Sequence, residues 1–501
     1  MYPAAIARTA PDRLAYVMAG SGASLTYAEL DEASNRLAQR LRAAGVKTGD
    51  TFLLALENRI EWPVAVAAGM RSGLYVTPVN SHLRAHELGA LIAEAQPTAV
   101  LTSPTLAVTV AEALGNRRCL RLCVGEGADG FLSFAEELAG SAAEPIEDEV
   151  FGARVLYSGG TTGTPKAFRQ QLLGVHPSEA PSRHSALMEK LGVGPSAVLL
   201  SPAPNYHAAP FTFQLATLAL GGTVVCLEKF HPAAAMAAIV DHGVTLSQWV
   251  PTMLIRLVEF HRTNDVELSP THAAAVTSGG PCAADVKQQI DQWWGPILHE
   301  YYGASEGYGH TYISPLEARE RIGSVGRPLG PTRIHITDED GAELPAGEVG
   351  TVWFEALGVQ QYVNQGEQSS GVREGWKSMS DLGALDEDGF LYLKGRKGYT
   401  IVSGGVNIYP DEVEAAIQSH PLVRDVAVLG EPDREFGEKV LAVVELTQPA
   451  AGDVQAELIA HARERLATFK APKRVVIVDS LPRLPTGKLN KKALHDTLLS
   501  Q

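Results

Sequence analysis

The residue types best suited to binding an anion lie between positions 158 and 166, directly after a short apolar strand. This segment reads Ser-Gly-Gly-Thr-Thr-Gly-Thr-Pro-Lys. Glycines let backbone N–H groups turn toward an anion, threonines add hydroxyl donors, and Lys166 adds a full positive charge. A polyphosphate needs this combination, although a polar turn between two strands has a similar composition. The candidate phosphate ligands are Ser158, Gly159, Gly160, Thr161, Thr162, Gly163, Thr164 and Lys166.

The loop differs from the Walker A motif, in which Gly-Lys is followed by Ser or Thr. Here Pro165 precedes Lys166, and Ala167 follows it. The hydroxyl that a P-loop NTPase places on magnesium is therefore missing from its usual position. The sequence predicts a phosphate-binding loop and disfavours the P-loop NTPase fold.

A second cluster of chemically useful residues lies at 302–307, which reads Tyr-Gly-Ala-Ser-Glu-Gly. Residues 303–307 match G-x-S-x-G, which would make Ser305 the nucleophile of a serine hydrolase. That motif must open into a helix, whereas the next residues include another glycine and several β-formers. In the alternative interpretation, the Tyr302 ring stacks on a base, Ser305 contacts phosphate and Glu306 holds Mg²⁺, which prefers hard oxygen ligands.

A third candidate is Lys488, which follows Thr486 and Gly487 near the C-terminal end. Lysines in such a position commonly belong to a solvated tail, and Lys491 and Lys492 fit that description. Lys488 differs because the Thr-Gly pair predicts a turn that holds it ahead of a helix.

In this order, the three motifs resemble those of the adenylate-forming superfamily, which includes acyl-CoA synthetases, luciferases and peptide-synthetase adenylation domains. The resemblance spans residues 155–488 and is greatest to acyl- or aryl-CoA synthetases. It implies that the catalytic residues are Lys488, Glu306 and His207, with Glu306 as the metal ligand. It also implies that ATP binds the loop together with Tyr302, Ser305, Asp381 and Arg396, the last two at the ribose.

The resemblance implies an ATP- and Mg²⁺-dependent activation of a carboxylic acid to an acyl-adenylate with release of pyrophosphate. The acyl group would then pass to the thiol of coenzyme A, through a tunnel beside Gly404 and Gly405. An amine acceptor, which would make the protein an amide-bond synthetase, uses the same first step and stays open. A non-catalytic sensor is a third possibility, which the presence of Lys488 and Glu306 disfavours.

The predicted acid pocket is apolar and suits an aromatic or fatty acid. Its expected lining is His207, Phe211, Trp249, Val250, Gly279, Gly280, Pro281, Gly303 and Ala304. Several positions depart from the family pattern. Pro281 replaces a usual alanine, Met379 and Ser380 replace the commoner Thr-Gly, and Tyr399 stands at the hinge position, where Asp or Lys is usual.

The elements around these motifs predict an α/β fold. Residues 27–38 have the apolar spacing of an amphipathic helix, and residues 51–56 form a continuous apolar run typical of a buried strand. The same alternation recurs to about residue 300 and predicts βαβ units with parallel sheets. Strands after residue 325 alternate apolar and polar residues, as antiparallel strands do.

We therefore expect a large N-terminal domain (1–395) of βαβ-type parallel sheets with a small β-barrel-like subdomain. A hinge (396–400, with Lys397 and Tyr399) would connect it to a small mobile α+β C-terminal domain (401–501).

Composition limits the class of partner. The chain has 501 residues with 42 basic and 57 acidic side chains, a net charge of −15, which argues against nucleic acid. Four cysteines in a chain of this length predict reduced thiols and a cytoplasmic location. No signal peptide or membrane span is expected, and the protein would act as a monomer or homodimer on small molecules.

His82 and His86 have metal-pair spacing on an expected helix, but solvated or capping histidines are favoured.

Overall fold

The computed structural model describes most of the chain. The described residues are 2–125, 127–158, 166–169, 171–180, 185–264, 266, 268–280, 282, 284–303, 307–356, 363–364, 372–373, 375–396, 401–408, 410–448, 452–482, 494 and 498.

The α-helices are α1 (Pro3–Ala7), α2 (Tyr27–Ala43), α3 (Glu61–Arg71), α4 (Ala85–Ala95), α5 (Pro104–Leu114), α6 (Phe134–Ala139), α7 (Ser185–Lys190), α8 (Ala208–Ala219), α9 (Pro232–Asp241), α10 (Pro251–Thr263), α11 (Ala284–Trp294), α12 (Pro315–Glu320), α13 (Pro410–Gln418) and α14 (Val454–Arg465).

The first strands are β1 (Leu14–Met18), β2 (Ser24–Thr26), β3 (Thr51–Ala55), β4 (Tyr75–Pro78), β5 (Ala99–Thr102), β6 (Leu120–Cys123), β7 (Leu132–Ser133), β8 (Ala153–Ser158), β9 (Lys166–Arg169), β10 (Val198–Ser201), β11 (Thr223–Cys226), β12 (Leu246–Trp249), β13 (Ala274–Thr277) and β14 (Leu298–Gly303). The later strands are β15 (His310–Ile313), β16 (Arg327–Pro328), β17 (Thr332–Thr337), β18 (Gly350–Ala356), β19 (Val363–Asn364), β20 (Val372–Arg373), β21 (Trp376–Lys377), β22 (Asp381–Leu385), β23 (Leu391–Arg396), β24 (Ile401–Ser403), β25 (Val406–Ile408), β26 (Val423–Asp433), β27 (Gly437–Leu446) and β28 (Arg474–Val478).

Two large sheets hold the first part of the chain. One has nine strands in the order β16-β15-β14-β13-β12-β10-β11-β1-β2, and the other has eight in the order β19-β9-β8-β4-β3-β5-β6-β7. The central pairings of both are parallel. Antiparallel strands lie at both ends of the nine-stranded sheet and at the β19 end of the eight-stranded sheet. The predicted βαβ architecture is confirmed.

Strand β3 is buried on both faces, which explains why residues 52–55 are all apolar instead of alternating with polar ones. Phe52 and Leu54 belong to a core that also contains residues of α2, α3, α8 and the nine-stranded sheet. Leu53 and Ala55 point to the opposite face, where they pack with α4 and α5. Because successive side chains of a strand face opposite sides, a strand buried on both faces needs apolar residues throughout.

The later part of the chain forms two smaller sheets. Strands β17, β18 and β20–β23 make a six-stranded antiparallel sheet. Strands β24–β28 form a five-stranded sheet that packs on α13 and α14 around a separate core, and we call this assembly the C-terminal unit. The predicted α+β character is confirmed, whereas the exact boundary stays a prediction because residues 397–400 lie outside the description.

One local prediction was wrong. His82 lies in a turn before α4 rather than on the helix that carries His86. No cluster of three metal-binding side chains occurs within the described residues. In that same part of the chain, every helix is too short or too polar to span a bilayer.

Candidate active site

Five neighbouring strands of the nine-stranded sheet end at one cavity of about 690 Å³, which we call the inner cavity. Its lining includes residues that directly follow β10, β11, β12 and β13, together with Gly303 at the end of β14. The carboxyl ends of parallel strands are where α/β sheets generally bind ligands, because the connecting loops converge there. The inner cavity is therefore the candidate active site.

His207 lines the inner cavity from the N-cap position of α8. Its ring does not cap the helix and instead lies beside Tyr206, with 4.4 Å between the ring centroids. Burial, with a smaller contribution from His82, lowers the pKa of His207 to about 4. The imidazole is thus neutral at pH 7.

The other predicted pocket residues fall into two groups. Val250, Gly279 and Gly303 line the inner cavity with His207. Phe211 and Trp249 instead lie behind its wall, with exposed fractions of 1% and 0%.

Neighbouring aromatic side chains explain this burial. Phe211 packs edge-on against Trp62, whereas Trp249 packs against Trp294 and donates a 2.6 Å hydrogen bond to Ser247 Oγ. Pro281 and Ala304 lie outside the described residues.

The cavity is more polar than the sequence predicted. Arg154, Thr212, Ser278, Tyr301 and His310 all contribute to its lining. The signal that could have revealed Arg154 is its charge within the otherwise apolar strand β8. The remaining residues come from separate strands and helices, so only the folded chain brings them together.

Tyr302 and Asp381 meet at the edge of the site predicted for nucleotide. The Tyr302 hydroxyl donates a 2.5 Å hydrogen bond to Asp381 Oδ2, and its ring packs against Phe354. Asp381 is also the cross-strand partner of Arg396 in the pairing of β22 with β23. Three residues predicted at the base and ribose are therefore neighbours, although they come from two different sheets.

Ser380, just before Asp381, has a φ of 64°. This left-handed conformation costs a residue with a Cβ atom roughly 1 kcal/mol, and glycine adopts it freely. Met379 and Ser380 replace the commoner Thr-Gly pair, so a serine occupies a position whose backbone conformation favours glycine.

The remaining nucleotide and metal ligands cannot be placed geometrically. Outside the described residues lie Gly159, Gly160, Thr161, Thr162, Gly163, Thr164, Ser305, Glu306, Lys397, Tyr399 and Lys488, and the side chains of Ser158, Lys166 and Arg396 are likewise not described. Their roles stay predictions. The segment after Gly303 does bear on the hydrolase alternative, because the next described element is strand β15 and not the helix that a nucleophile elbow requires.

The C-terminal unit reaches the inner cavity through the turn between β24 and β25. Gly404 and Gly405 line the cavity and have φ values of 60° and 79°. A Cβ atom added to Gly405 would lie 3.1 Å from the carbonyl oxygen of Gly279. The absence of a side chain at Gly405 therefore lets this turn lie close to the backbone of Gly279.

A second opening, the outer cleft, lies between the C-terminal unit and the rest of the chain. It measures about 820 Å³ and is lined on one side by residues 81–86 and on the other by Thr468, Phe469 and Lys473. Ser81 and His82 line both openings, so the outer cleft leads toward the inner cavity. Arg84 and Lys473 supply positive charge to the cleft, and Glu112 and Glu464 supply negative charge.

Comparison with protein families gives two matches. Residues 4–361 match the model of the AMP-binding enzymes, and residues 412–488 match that of the AMP-binding enzyme C-terminal domain. The 2-succinylbenzoate–CoA ligase of Bacillus subtilis (strain 168) is 31% identical over 498 residues, which cover 98% of this chain and 96% of the relative. The feruloyl-CoA synthase of an Amycolatopsis species is 32% identical over 500 residues, covering 98% and 97%.

Solved structures are similar over the whole chain. The Bacillus subtilis o-succinylbenzoate CoA synthetase with a product analogue, OSB-NCoA, superposes with a TM-score of 0.83 and 28% identity, covering 99% of this chain and 98% of that one. The same enzyme with the acyl-adenylate OSB-AMP gives 0.68 at 28% identity, covering 99% and 97%. The amide bond synthetase McbA of Marinactinospora thermotolerans gives 0.84 at 28% identity, covering 99% and 100%.

Proposed function

The chain belongs to the AMP-binding enzyme family, and on that premise we propose that it joins a carboxylic acid to the thiol of coenzyme A at the expense of ATP. In the first step, a carboxylate oxygen attacks the α-phosphorus of ATP, the bond to pyrophosphate breaks and an acyl-adenylate forms. In the second, the thiol sulfur attacks the acyl carbon, the thiol proton leaves, and AMP departs with the electrons of the broken C–O bond.

The first step brings two anions together, so its barrier depends on positive charge at the site. Like charges at contact distance repel strongly where water is excluded. We assign Lys488 to the oxygens of the carboxylate and α-phosphate, and the loop at 158–166 to the departing pyrophosphate. Mg²⁺, held by Glu306, would neutralise further phosphate charge. Tyr302, Ser305, Asp381 and Arg396 would orient the nucleotide, so positioning and charge stabilisation carry the reaction.

The position of the C-terminal unit is the observation that best supports coenzyme A as the acceptor. Its Gly404–Gly405 turn lies against Gly279 at the inner cavity, where a narrow thiol arm could pass. The outer cleft continues outward from there and has room for a larger nucleotide portion. The higher TM-score to the product-analogue complex than to the adenylate complex of the same enzyme agrees with this arrangement.

The two steps need different neighbours at the same place, because Lys488 must leave before the thiol arrives. We therefore propose that the C-terminal domain rotates about residues 396–400, with Lys397 and Tyr399 in the hinge. The large domain would end at residue 395. A cytoplasmic location is part of the proposal and is supported by four free thiols. The oligomeric state is proposed to be a monomer or homodimer.

An amine acceptor is the second candidate, and two observations favour it. The amide bond synthetase has a fold similarity equal to that of the CoA synthetase. Glu57 lines the inner cavity, and its Oε2 is buried without a hydrogen-bond partner among the described residues. A carboxylate in this position could attract an ammonium group, which must then lose a proton before it attacks.

Product analysis tests both candidates. The enzyme is incubated with ATP, Mg²⁺ and a panel of carboxylic acids, with coenzyme A or a panel of amines, and the products are weighed by mass spectrometry. We expect acyl-CoA, AMP and pyrophosphate. Amides formed without thioester would support the second candidate, and Glu57→Gln should then lower amide yield. If AMP forms when the acid and both kinds of acceptor are omitted, both candidate functions are refuted. Ester hydrolysis without ATP would instead support Ser305 as a nucleophile.

A further inference from the structure

Asn58 joins the two large sheets at the wall of the inner cavity. It follows the end of β3, lines the cavity and has an exposed fraction of 7%. Its Nδ2 donates hydrogen bonds to the carbonyl oxygens of Ala203, at 3.1 Å, and Leu227, at 2.7 Å. Its Oδ1 accepts a 2.8 Å hydrogen bond from the backbone N–H of Asn205. One side chain from the eight-stranded sheet therefore holds two loops of the nine-stranded sheet, those that follow β10 and β11.

These partners determine the orientation of the Asn58 amide. A carbonyl oxygen can only accept a hydrogen bond, so the amide NH₂ must face Ala203 and Leu227. For the same reason the amide oxygen must face the N–H group of Asn205. All three partner residues are buried, and a backbone polar group that lacks a partner away from water costs free energy. The position therefore requires two donated hydrogen bonds and one accepted hydrogen bond from one short side chain, which asparagine supplies.

The side chain of Asn205 continues this connection into the nine-stranded sheet. Its Oδ1 accepts a 2.6 Å hydrogen bond from Gln214 Nε2 on α8, and its Nδ2 donates one of 3.2 Å to the hydroxyl of Tyr16 on β1. Gln214 also donates a 2.8 Å hydrogen bond to Ser201 Oγ at the end of β10. All of these side chains are buried. Asn205 is thus held by its backbone through Asn58 and by its side chain through this buried network.

The segment held in this way carries His207, and we call residues 203–207 the His207 segment. The backbone N–H of His207 donates a 3.2 Å hydrogen bond to the carbonyl oxygen of Pro204, which closes a turn before α8. Tyr206 lies within this turn, with its ring beside that of His207. Four residues of the segment line the inner cavity, and the fifth, Asn205, is buried. The shape of this cavity wall therefore depends on the hydrogen bonds that hold Asn205.

The residues predicted to bind the nucleotide come from other elements. Tyr302 is on β14 and Asp381 begins β22, and the hydrogen bond that joins them involves neither Asn58 nor the His207 segment. The predicted phosphate loop begins at the end of β8. A change at Asn58 should thus affect the acid side of the site and spare the nucleotide side.

We propose that Asn58 is a positioning residue for acid binding, an inference that rests on the proposed function. It holds the His207 segment through backbone hydrogen bonds and acts through that segment, so it needs no contact with the reacting atoms. A misplacement of about 1 Å can lower a reaction rate about 10²-fold, because the reacting groups must meet at contact distance. Asn58 would thereby set how well the acid is bound and aligned for attack on ATP.

Steady-state kinetics of AMP formation test the inference. Octanoate, benzoate and ferulate serve as probe acids, and the one with the highest kcat/KM in the unmodified enzyme is used throughout. We expect Asn58→Ala to lower kcat/KM for this acid about 10²-fold, the effect of a misplaced group, and to keep KM for ATP within about twofold. An unchanged kcat/KM for the acid, or an equal rise of KM for the acid and for ATP, would overturn the inference.

Asn58→Asp separates the effect of the hydrogen bonds from that of side-chain volume. The carboxylate has nearly the same size and can accept a hydrogen bond from Asn205, but it cannot donate to Ala203 and Leu227. We expect this variant to lose nearly as much kcat/KM for the acid as Asn58→Ala. If it were as active as the unmodified enzyme, the donated hydrogen bonds would be irrelevant and the inference would be wrong.

Asn35→Ala is the matched control. Asn35 is also a buried asparagine, but it lies on α2 and outside the lining of the inner cavity. Its substitution should lower the melting temperature and leave kcat/KM for the acid unchanged. An equal loss of kcat/KM in Asn35→Ala would show that destabilisation is responsible, which would also overturn the inference.

Tyr16→Phe decides the inference if neither substitution of Asn58 folds. It removes only the hydroxyl to which Asn205 donates, so the packing of the ring is retained. The variant should lower kcat/KM for the acid, by less than Asn58→Ala would, and should leave KM for ATP unchanged. An unchanged kcat/KM for the acid would count against the inference.

The failure of the proposed function would look different. If the unmodified enzyme formed no AMP from any acid, the activation step itself would be refuted. If it formed AMP and Asn58→Ala did so equally well, only the assignment of Asn58 would fail.

Discussion

The hydroxyl of Tyr302 lies 2.5 Å from Oδ2 of Asp381, so a hydrogen bond joins the end of β14 to the start of β22. The contact connects a parallel sheet to an antiparallel one at the predicted nucleotide site. It places an aromatic face and a carboxylate side by side, as the recognition of a base and a ribose requires.

Tyr302→Phe should raise KM for ATP about tenfold and change kcat little. The ring remains for stacking, but Asp381 no longer accepts a hydrogen bond from the Tyr302 hydroxyl, and a hydrogen bond to a charged group is worth about 1.5–3 kcal/mol. Steady-state kinetics with varied ATP measure the effect. Tyr312→Phe, on neighbouring β15, is the control, since that hydroxyl bonds to His299. An unchanged KM for ATP would argue against nucleotide binding beside Asp381.

Lys488→Ala should abolish ATP–pyrophosphate exchange, with a loss of about 10²–10³ in rate, the usual effect of removing one group that stabilises transition-state charge. The variant should still convert pre-made acyl-adenylate to product, because that step does not need the lysine. Lys491→Ala, three residues away, should behave like the unmodified enzyme. Retained exchange in Lys488→Ala would refute the assigned role.

Gly405→Ala should slow acyl transfer at least tenfold and spare pyrophosphate exchange. The added Cβ would lie 3.1 Å from the Gly279 carbonyl oxygen in a backbone conformation with φ of 79°. Gly452→Ala is a matched control, because its φ is 94° but no atom lies within 4 Å of the added Cβ. Equal effects of the two substitutions on transfer would show that backbone strain, and not the close approach, is responsible.

Lys470 joins the C-terminal unit to the rest of the chain through an ion pair with Glu87. Its Nζ lies 2.8 Å from Glu87 Oε1 and 2.6 Å from Glu412 Oε1. Burial disfavours the charged lysine, but Glu412 and Glu87 outweigh it and raise the pKa of Lys470.

Lys470→Met should therefore slow thioester formation from acyl-adenylate about tenfold, because the contact stabilises this domain arrangement, and should leave pyrophosphate exchange intact. Single-turnover assays separate the two steps. Arg424→Met removes an ion pair inside the C-terminal unit and serves as the control. If exchange and transfer fell equally in Lys470→Met, the ion pair would not be specific to one arrangement.

His272 should make the protein less stable in acid. Burial lowers its pKa to about 4, whereas the unfolded chain takes up the proton near pH 6.5. The unfolded state thus binds more protons between pH 6.5 and 4, and stability falls as the pH falls through that range. The full effect of one histidine is about 3 kcal/mol.

Thermal melting at a series of pH values measures this dependence. In His272→Gln, an amide still faces Ser247 Oγ, which lies 2.7 Å from His272 Nε2 in the unmodified chain. The pH dependence between 6.5 and 4 should become shallower, with His242→Gln at the C-cap of α9 as the control. An identical slope in His272→Gln would contradict the assignment.

Short-range patterns predicted much of the fold. The apolar run at β3 and the amphipathic spacing of α2 depend on neighbours within a few residues. The same holds for the phosphate-loop motif. Lining of the inner cavity was harder to predict, because Arg154, Tyr301 and His310 belong to three strands whose pairing is not local. Phe211 and Trp249 were placed in the pocket from their positions in the chain, but their large apolar rings are buried behind it.

The amino-acid sequence alone determined the family, the order of the motifs and the residue types available for nucleotide chemistry. It did so because each motif lies within a short segment whose glycines, hydroxyls and charges have local meaning. Tertiary structure decided which side chains share the inner cavity, that Tyr302 bonds to Asp381, and that Gly405 approaches Gly279. Those relationships depend on strand order and on the contact between two separate cores, which bring together residues that are far apart in the chain.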